Sequence, residues 1–245
     1  MATKKQNSKA KNNPTRSSGY KLPTGIKRIM KQDILGFQAT WKCGHVTEKD
    51  LLSVWTQNRI DTWINKGILV NRGGSDKHGH RVLALTAAGE KLCKKHPYLK
   101  FEGTPQAHSK DKLRHNLAIN RQYWTLTPEQ RETSKTEADI RRDGKDMYKA
   151  LLKDVKALRY DVENAVDDKV KHELEARLHE LQVHADNIAY AWETREISTP
   201  DFSYVTEGGK EVYFEVITNQ YSEAEISAKI NFSNLMNTEL ILHRI

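Results

Sequence analysis

Two stretches in the first half of the chain carry side chains suited to gripping a polyanion. Thr56 can cap a helix over residues 57–66 whose inward face is Ile60, Trp63 and Ile64, with Gly67 closing it. The outward face then presents Gln57, Asn58, Arg59, Thr62 and Lys66, a set that can meet both base edges and phosphates. Residues 68–70 and 82–85 read as short strands around a turn-rich loop, and Arg72, Lys77, His78 and Arg81 make that hairpin tip basic. Cys43-x-His45 and Cys93-x-x-His96 contain zinc-ligand types without the spacing of a zinc finger, so a buried thiol and exposed imidazoles account for them better.

Charge is distributed to match. The 245 residues carry a net charge of +8, but residues 1–126 hold 24 basic against 8 acidic side chains, leaving 16 basic and 24 acidic for the remainder. Such asymmetry assigns polyanion contact to the first half, with double-stranded DNA as the expected partner. Residues 1–25 contain six Lys or Arg, no acid and little apolar surface, and read as a disordered basic arm adding salt-sensitive phosphate contacts. No apolar run approaches the ~20 residues of a membrane helix, and Lys4 and Lys5 are followed by no hydrophobic segment. With only two cysteines, the expectation is a cytoplasmic protein without a membrane partner.

The elements that must position these groups follow from periodicity. Ile26, Ile29, Met30, Ile34 and Phe37 mark a first amphipathic helix, Thr47 caps a short second one, and Thr86 caps a helix after the hairpin. Three helices, a basic hairpin and a trailing helix resemble a winged helix-turn-helix, carried by residues 67–70 and 85–89, and this resemblance gives a domain over residues 26–108. It implies a recognition helix in the major groove and a wing on the DNA backbone. The same fold can also serve protein contacts.

After a polar linker at residues 103–108, residues 110–126 read as a joining helix and residues 136–142 as a short charged one. Residues 199–205 and 210–217 read as strands around Glu207-Gly208-Gly209-Lys210, followed by a helix over 222–235 and an apolar strand over 238–245. Glu137, Pro200-Asp201 and Glu215 in this order resemble the PD-(D/E)xK restriction-endonuclease-like core. The resemblance implies Asp201 and Glu215 as ligands of Mg²⁺, Glu137 in support and a Lys beside the attacking water. Ile217 stands where that motif places its Lys, and Lys229 on the following helix is the substitute. The structural alternative is that Pro-Asp is a turn dipeptide and Glu215 an exposed strand residue.

Residues 47–89, 113–120, 137–142 and 200–229 together resemble the replication-relaxation family of plasmid and phage proteins. Between Glu137 and Asp201, apolar steps of three and four, from Met147 to Val162 and from Leu174 to Trp192, predict two helices. Laid straight, residues 146–194 would span roughly 70 Å, so a shared carboxylate site requires reversal near residues 166–169. The expected architecture is therefore α+β: a winged helix-turn-helix, then a restriction-endonuclease-like α/β domain over 109–245, interrupted by a long antiparallel helical hairpin at 146–194. That hairpin either packs on itself or contacts a homodimer mate or protein partner. The resemblance implies a mobile-element DNA-binding factor in replication, mobilisation or transcription control. A Mg²⁺-dependent DNA endonuclease is the alternative, and a protein-interaction adaptor using the hairpin is a third.

Overall fold

Hydroxyl side chains mark where helices begin. Thr47, Thr56, Thr86, Thr127, Thr136 and Ser222 each accept the backbone N–H three residues on, satisfying a donor that a helix N-terminus leaves without an intrahelical partner. The computed structural model describes residues 22–75 and 79–245, so most of the basic arm, Lys77 and His78 lie outside the described residues. The chain is a mixed α+β protein, and no helix among the described residues is long and apolar enough to cross a membrane.

The first part runs α1 (Lys31–Cys43), β1 (Val46–Thr47), α2 (Glu48–Leu51), α3 (Gln57–Asn65), β2 (Leu69–Ser75), β3 (Arg81–Leu85) and α4 (Ala87–Lys95). Its strands form an antiparallel sheet in the order β1-β3-β2, with Val46 opposite Leu83 and Leu69 opposite Leu85. Helix α1 starts later than the apolar spacing predicts. The Asp33 carboxylate accepts the Met30 N–H at 2.7 Å and fixes the start there, while Ile26 is buried from a turn before the helix.

The second part comprises α5 (Leu113–Thr125), α6 (Pro128–Thr133), β4 (Lys135–Thr136), α7 (Glu137–Asn164), α8 (Asp168–Glu193), β5 (Phe202–Val205), β6 (Glu211–Ile217), α9 (Glu223–Leu235) and β7 (Glu239–Arg244). Its sheet has the order β4-β5-β6-β7, antiparallel except for the parallel pair β6 and β7. Helix α9 makes the crossover that a parallel pair requires.

Residues 103–108 are not a solvated linker. Gln106 is buried, its N–H donates to the Trp41 carbonyl at 2.9 Å, and its side-chain oxygen accepts the Glu137 N–H at 3.3 Å. The Thr136 hydroxyl donates to the Thr104 carbonyl at 2.9 Å. Polar residues are used here to satisfy backbone groups at a seam. The core crosses the same seam without interruption: Phe37, Trp41 and Trp63 belong to one buried cluster with Tyr123, Phe202, Phe214 and Val216.

The charged stretch at 137–142 is not a separate short helix but the first turns of the 28-residue α7. The chain reverses between Asn164 and Asp168, where the Asp167 side chain caps α8 through the Val170 N–H at 2.9 Å. The hairpin base is held where Trp192 stacks on Phe232, 6.3 Å between ring centroids, and where Gly144 leaves room for the same Phe232 ring.

Gly89 sets how closely α4 can approach the strand leading to the wing. A Cβ there would stand 2.3 Å from the Ile68 carbonyl oxygen, a backbone atom that cannot swing aside. Gly89→Ala is therefore expected to destabilise the protein by about 1–3 kcal/mol, the usual range for overpacking, read as a lower urea midpoint at unchanged slope.

Candidate functional site

On α3, Gln57 and Asn58 are exposed, as is Lys66 just past its end, and the half-buried Thr62 donates its hydroxyl to the Asn58 carbonyl at 2.6 Å. Arg59 has a different assignment. Its Nε and Nη2 donate to the two oxygens of Asp33 at 2.9 and 2.5 Å, and its guanidinium lies 4.5 Å from the centroid of the Trp63 ring. Asp33 is fully buried, so this bidentate pair clamps α3 to the start of α1. Arg81 bridges Glu48 and Asp61, with its Nη2 2.7 Å from Asp61, and ties β3 to α2 and α3. Those two carboxylates hold the Arg81 pKa well above its ordinary value. Gln57 donates to the same Glu48 at 2.8 Å, and Arg72 meets His108 at 2.9 Å. The cations chosen by type thus divide into those that build the frame and those, such as Lys66, that face outward.

The second constellation is buried. Pro200-Asp201 leads into β5, and the register Phe202 opposite Phe214 sets Asp201 beside Glu215 on β6. The Asp201 N–H donates to Glu215 Oε2 at 3.0 Å, and the Val216 N–H donates to Asp201 Oδ2 at 2.8 Å. From α9, Lys229 Nζ reaches Glu215 Oε1 at 2.9 Å and also donates to the Thr199 carbonyl at 2.6 Å. From α5, His115 Nε2 lies 2.8 Å from Asp201 Oδ2. The Tyr221 hydroxyl donates to Glu215 Oε1 at 3.1 Å. Asp201 is 3% exposed and Glu215 0%, so Glu215 is not the exposed strand residue of the structural alternative.

Three of the four residues anticipated as catalytic, Asp201, Glu215 and Lys229, therefore meet. Glu137 opens α7 next to β4 but pairs with Arg141 one turn along its own helix. Sequence reasoning did not assign roles to His115 or Tyr221. The available signal for His115 was the run Arg114-His115-Asn116, polar side chains set within the apolar repeat of α5.

Burial opposes ionisation of Asp201, yet the hydrogen bond and charge of His115, the Lys229 charge and the Val216 N–H outweigh it and hold its pKa below the usual value. Burial also opposes the His115 cation, and the Asp201 contact overcomes it and raises the imidazole pKa. At Glu215, burial and the neighbouring Asp201 charge prevail over Lys229 and push the carboxyl up to about 8.

The donors do not fit Mg²⁺ as they are held. That ion takes about six oxygens at ~2.0–2.1 Å and keeps several waters. Here Lys229 and Tyr221 occupy Glu215 Oε1, the Asp201 N–H its Oε2, and His115 and the Val216 N–H Asp201 Oδ2. Among the described residues no cluster of three or more His, Cys, Asp or Glu is placed to hold a metal. Cys43 and Cys93 are free buried thiols whose pKa burial raises.

Two outcomes follow. Arg59→Ala strands the buried Asp33 carboxylate and should cost about 3 kcal/mol of stability in urea unfolding, the low end for a broken buried pair because Met30 and Trp63 still donate to it. For pH, His115 with its raised pKa stabilises the fold below its unfolded value near ~6.5, and that contribution is lost as pH rises through the folded pKa. Glu215, protonated in the fold up to about 8, destabilises progressively above its unfolded value near ~4.3. Asp201 acts in the opposite sense, contributing above ~3.9 and losing that contribution in acid. Unfolding free energy should accordingly be higher at pH 6 than at pH 8.5, with a smaller difference in His115→Gln; an unchanged difference would remove His115 from this account.

Compared with known proteins, the chain matches no family model, no curated protein and no solved structure.

Proposed function

We propose that the chain is a DNA-binding protein of a plasmid or phage, acting in replication, mobilisation or transcription control and recognising duplex DNA through a winged helix-turn-helix. The observation carrying this reading is the arrangement of α3 and the β2–β3 hairpin on the β1-β3-β2 sheet, with Asn58 and Lys66 turned outward from a helix locked in place by Arg59 and Arg81. The excess of 16 positive charges over residues 1–126 gives the electrostatic attraction. In this reading α3 enters the major groove, the hairpin lies along the backbone, and the four-stranded sheet is a scaffold joined through α5. The mobile-element assignment rests on the family resemblance of the motifs.

The test uses outward residues rather than the clamped arginines. Asn58→Ala with Lys66→Ala should weaken duplex binding about tenfold and lower the salt slope by about one, with unfolding unchanged. Fluorescence anisotropy over a salt series reads both quantities. Equal affinity and slope in the double variant would overturn the assignment of α3.

A second reading, a Mg²⁺-dependent DNA endonuclease, is favoured by the meeting of Asp201, Glu215 and Lys229 from separate elements. It requires the chain's own cations to release the carboxylates. Cleavage of duplex DNA in Mg²⁺ or Mn²⁺ that disappears in Asp201→Ala would establish it over the scaffold reading.

A further inference from the structure

Strand β7 is the last of its sheet. It pairs with β6 in unbroken parallel register from Glu239 opposite Val212 to Arg244 opposite Ile217, and no strand lies on its other side among the described residues. Alternate N–H and C=O groups along that outer edge are consequently left for another chain. Edges are ordinarily blunted by brevity, a bulge, Pro or charged side chains. Over its six residues β7 has no Pro and no register shift, its charged residues Glu239 and Arg244 stand at the two ends, and at its centre Leu240-Ile241-Leu242 leaves Ile241 37% and Leu242 38% exposed. The stacking of His243 on Phe214, 5.7 Å between centroids, keeps the strand seated on β6.

The order of residues identifies the occupant. A two-fold axis perpendicular to an antiparallel edge pair must pass between two copies of the same residue, because only then do side chains keep their face of the sheet. With that residue as Ile241, Leu240 lies opposite the partner's Leu242, and Glu239 lies opposite the partner's His243. Apolar side chains meet apolar ones at the centre, while Glu239 keeps its pairing with Lys210 and His243 its stacking on Phe214. The strand is complementary to itself, a property that pairing with an unrelated peptide would not call for.

We propose that β7 is a self-pairing edge through which two copies of the chain join their four-stranded sheets into one continuous antiparallel seam centred on Ile241. The seam uses neither the helical hairpin nor the DNA-facing helix, so it stands independently of the proposed function. Main-chain hydrogen bonds supply the attraction, and the apolar centre sets the register.

Sedimentation velocity of the full chain over a hundredfold concentration range tests this, with wild type beside Ile241→Lys and Ile241→Cys. Wild type should shift from monomer to dimer with concentration. Ile241→Lys, which alters a partly exposed side chain, should keep its unfolding midpoint and require at least about tenfold more protein to dimerise, as expected when like charges stand directly opposite. Ile241→Cys should form an intermolecular disulfide on mild oxidation, and Leu242→Cys should not. A wild type monomeric throughout, or a dimer untouched by Ile241→Lys, overturns the proposal. Cross-linking at Leu242→Cys in place of Ile241→Cys overturns the register.

Discussion

Two carboxylates buried side by side on neighbouring strands impose the constraint around which the second half is arranged. Asp201 and Glu215 face one another across β5 and β6 with almost no access to water, so their mutual repulsion is poorly screened. Backbone N–H groups can share the charge but not neutralise it. Neutralisation comes from outside the β5–β6 pair: Lys229 descends from α9 and His115 from α5. Helix α9 must therefore lie on the sheet to complete the β6–β7 crossover, and α5 must stay against it. Burial and the neighbouring Asp201 charge also raise the Glu215 pKa, so a proton there can stand in where the imidazole is uncharged.

The same economy governs the first half. Asp33 is buried in the first turn of α1, and Arg59 is the cation that makes its burial tolerable. Arg81 bridges the partly buried Glu48 and Asp61 and so ties α2, α3 and β3 together. A guanidinium is suited to this work because its planar fork meets two carboxylate oxygens at once and can still lie on an aromatic face. Residue type alone therefore overestimates the surface offered to a phosphate backbone. Lys66, by contrast, with a compact and strongly hydrated ammonium on a long stem, stays turned to solvent.

Legibility in the sequence follows the range of the forces involved. Local signals read through: threonine caps at residues 47, 56 and 86, the glycine after α3, the apolar steps of α7 and α8 and the need for their reversal depend on neighbours within a turn or two. The meeting of Asp201, Glu215 and Lys229, far apart in sequence, is legible instead through the resemblance of their order to the PD-(D/E)xK motif. What could not be read depends on partners far along the chain. Strand β1 has two residues and no periodicity, existing only because β3 pairs with it. Residues 103–108 look like a linker until Trp41 and Glu137 are placed beside Gln106. Arg59 looks like a DNA contact until Asp33, 26 positions earlier, lies under it. His115 has no neighbour in sequence that announces Asp201.

Helix α5 resolves what would otherwise be two separate problems. One part of its surface carries Asn116 and Asn120, a turn apart and both fully buried. Asn116 meets His45 Nδ1 at 3.0 Å, and Asn120 donates to Asp50 at 2.6 Å, beside β1 and on α2. Another part carries His115 to Asp201. A turn of helix is too stiff to adjust one set of contacts without the other. The hydrogen bonds that orient α2 therefore also fix where the imidazole meets the carboxylate pair. Tyr123, on the same helix, packs at 6.3 Å against Phe202, the residue following Asp201, so apolar packing enforces the spacing that the polar contacts require. A core running unbroken across this helix is the expected result: the buried polar side chains of α5 find partners on both sides of it, and apolar surface closes over the pairs once they meet.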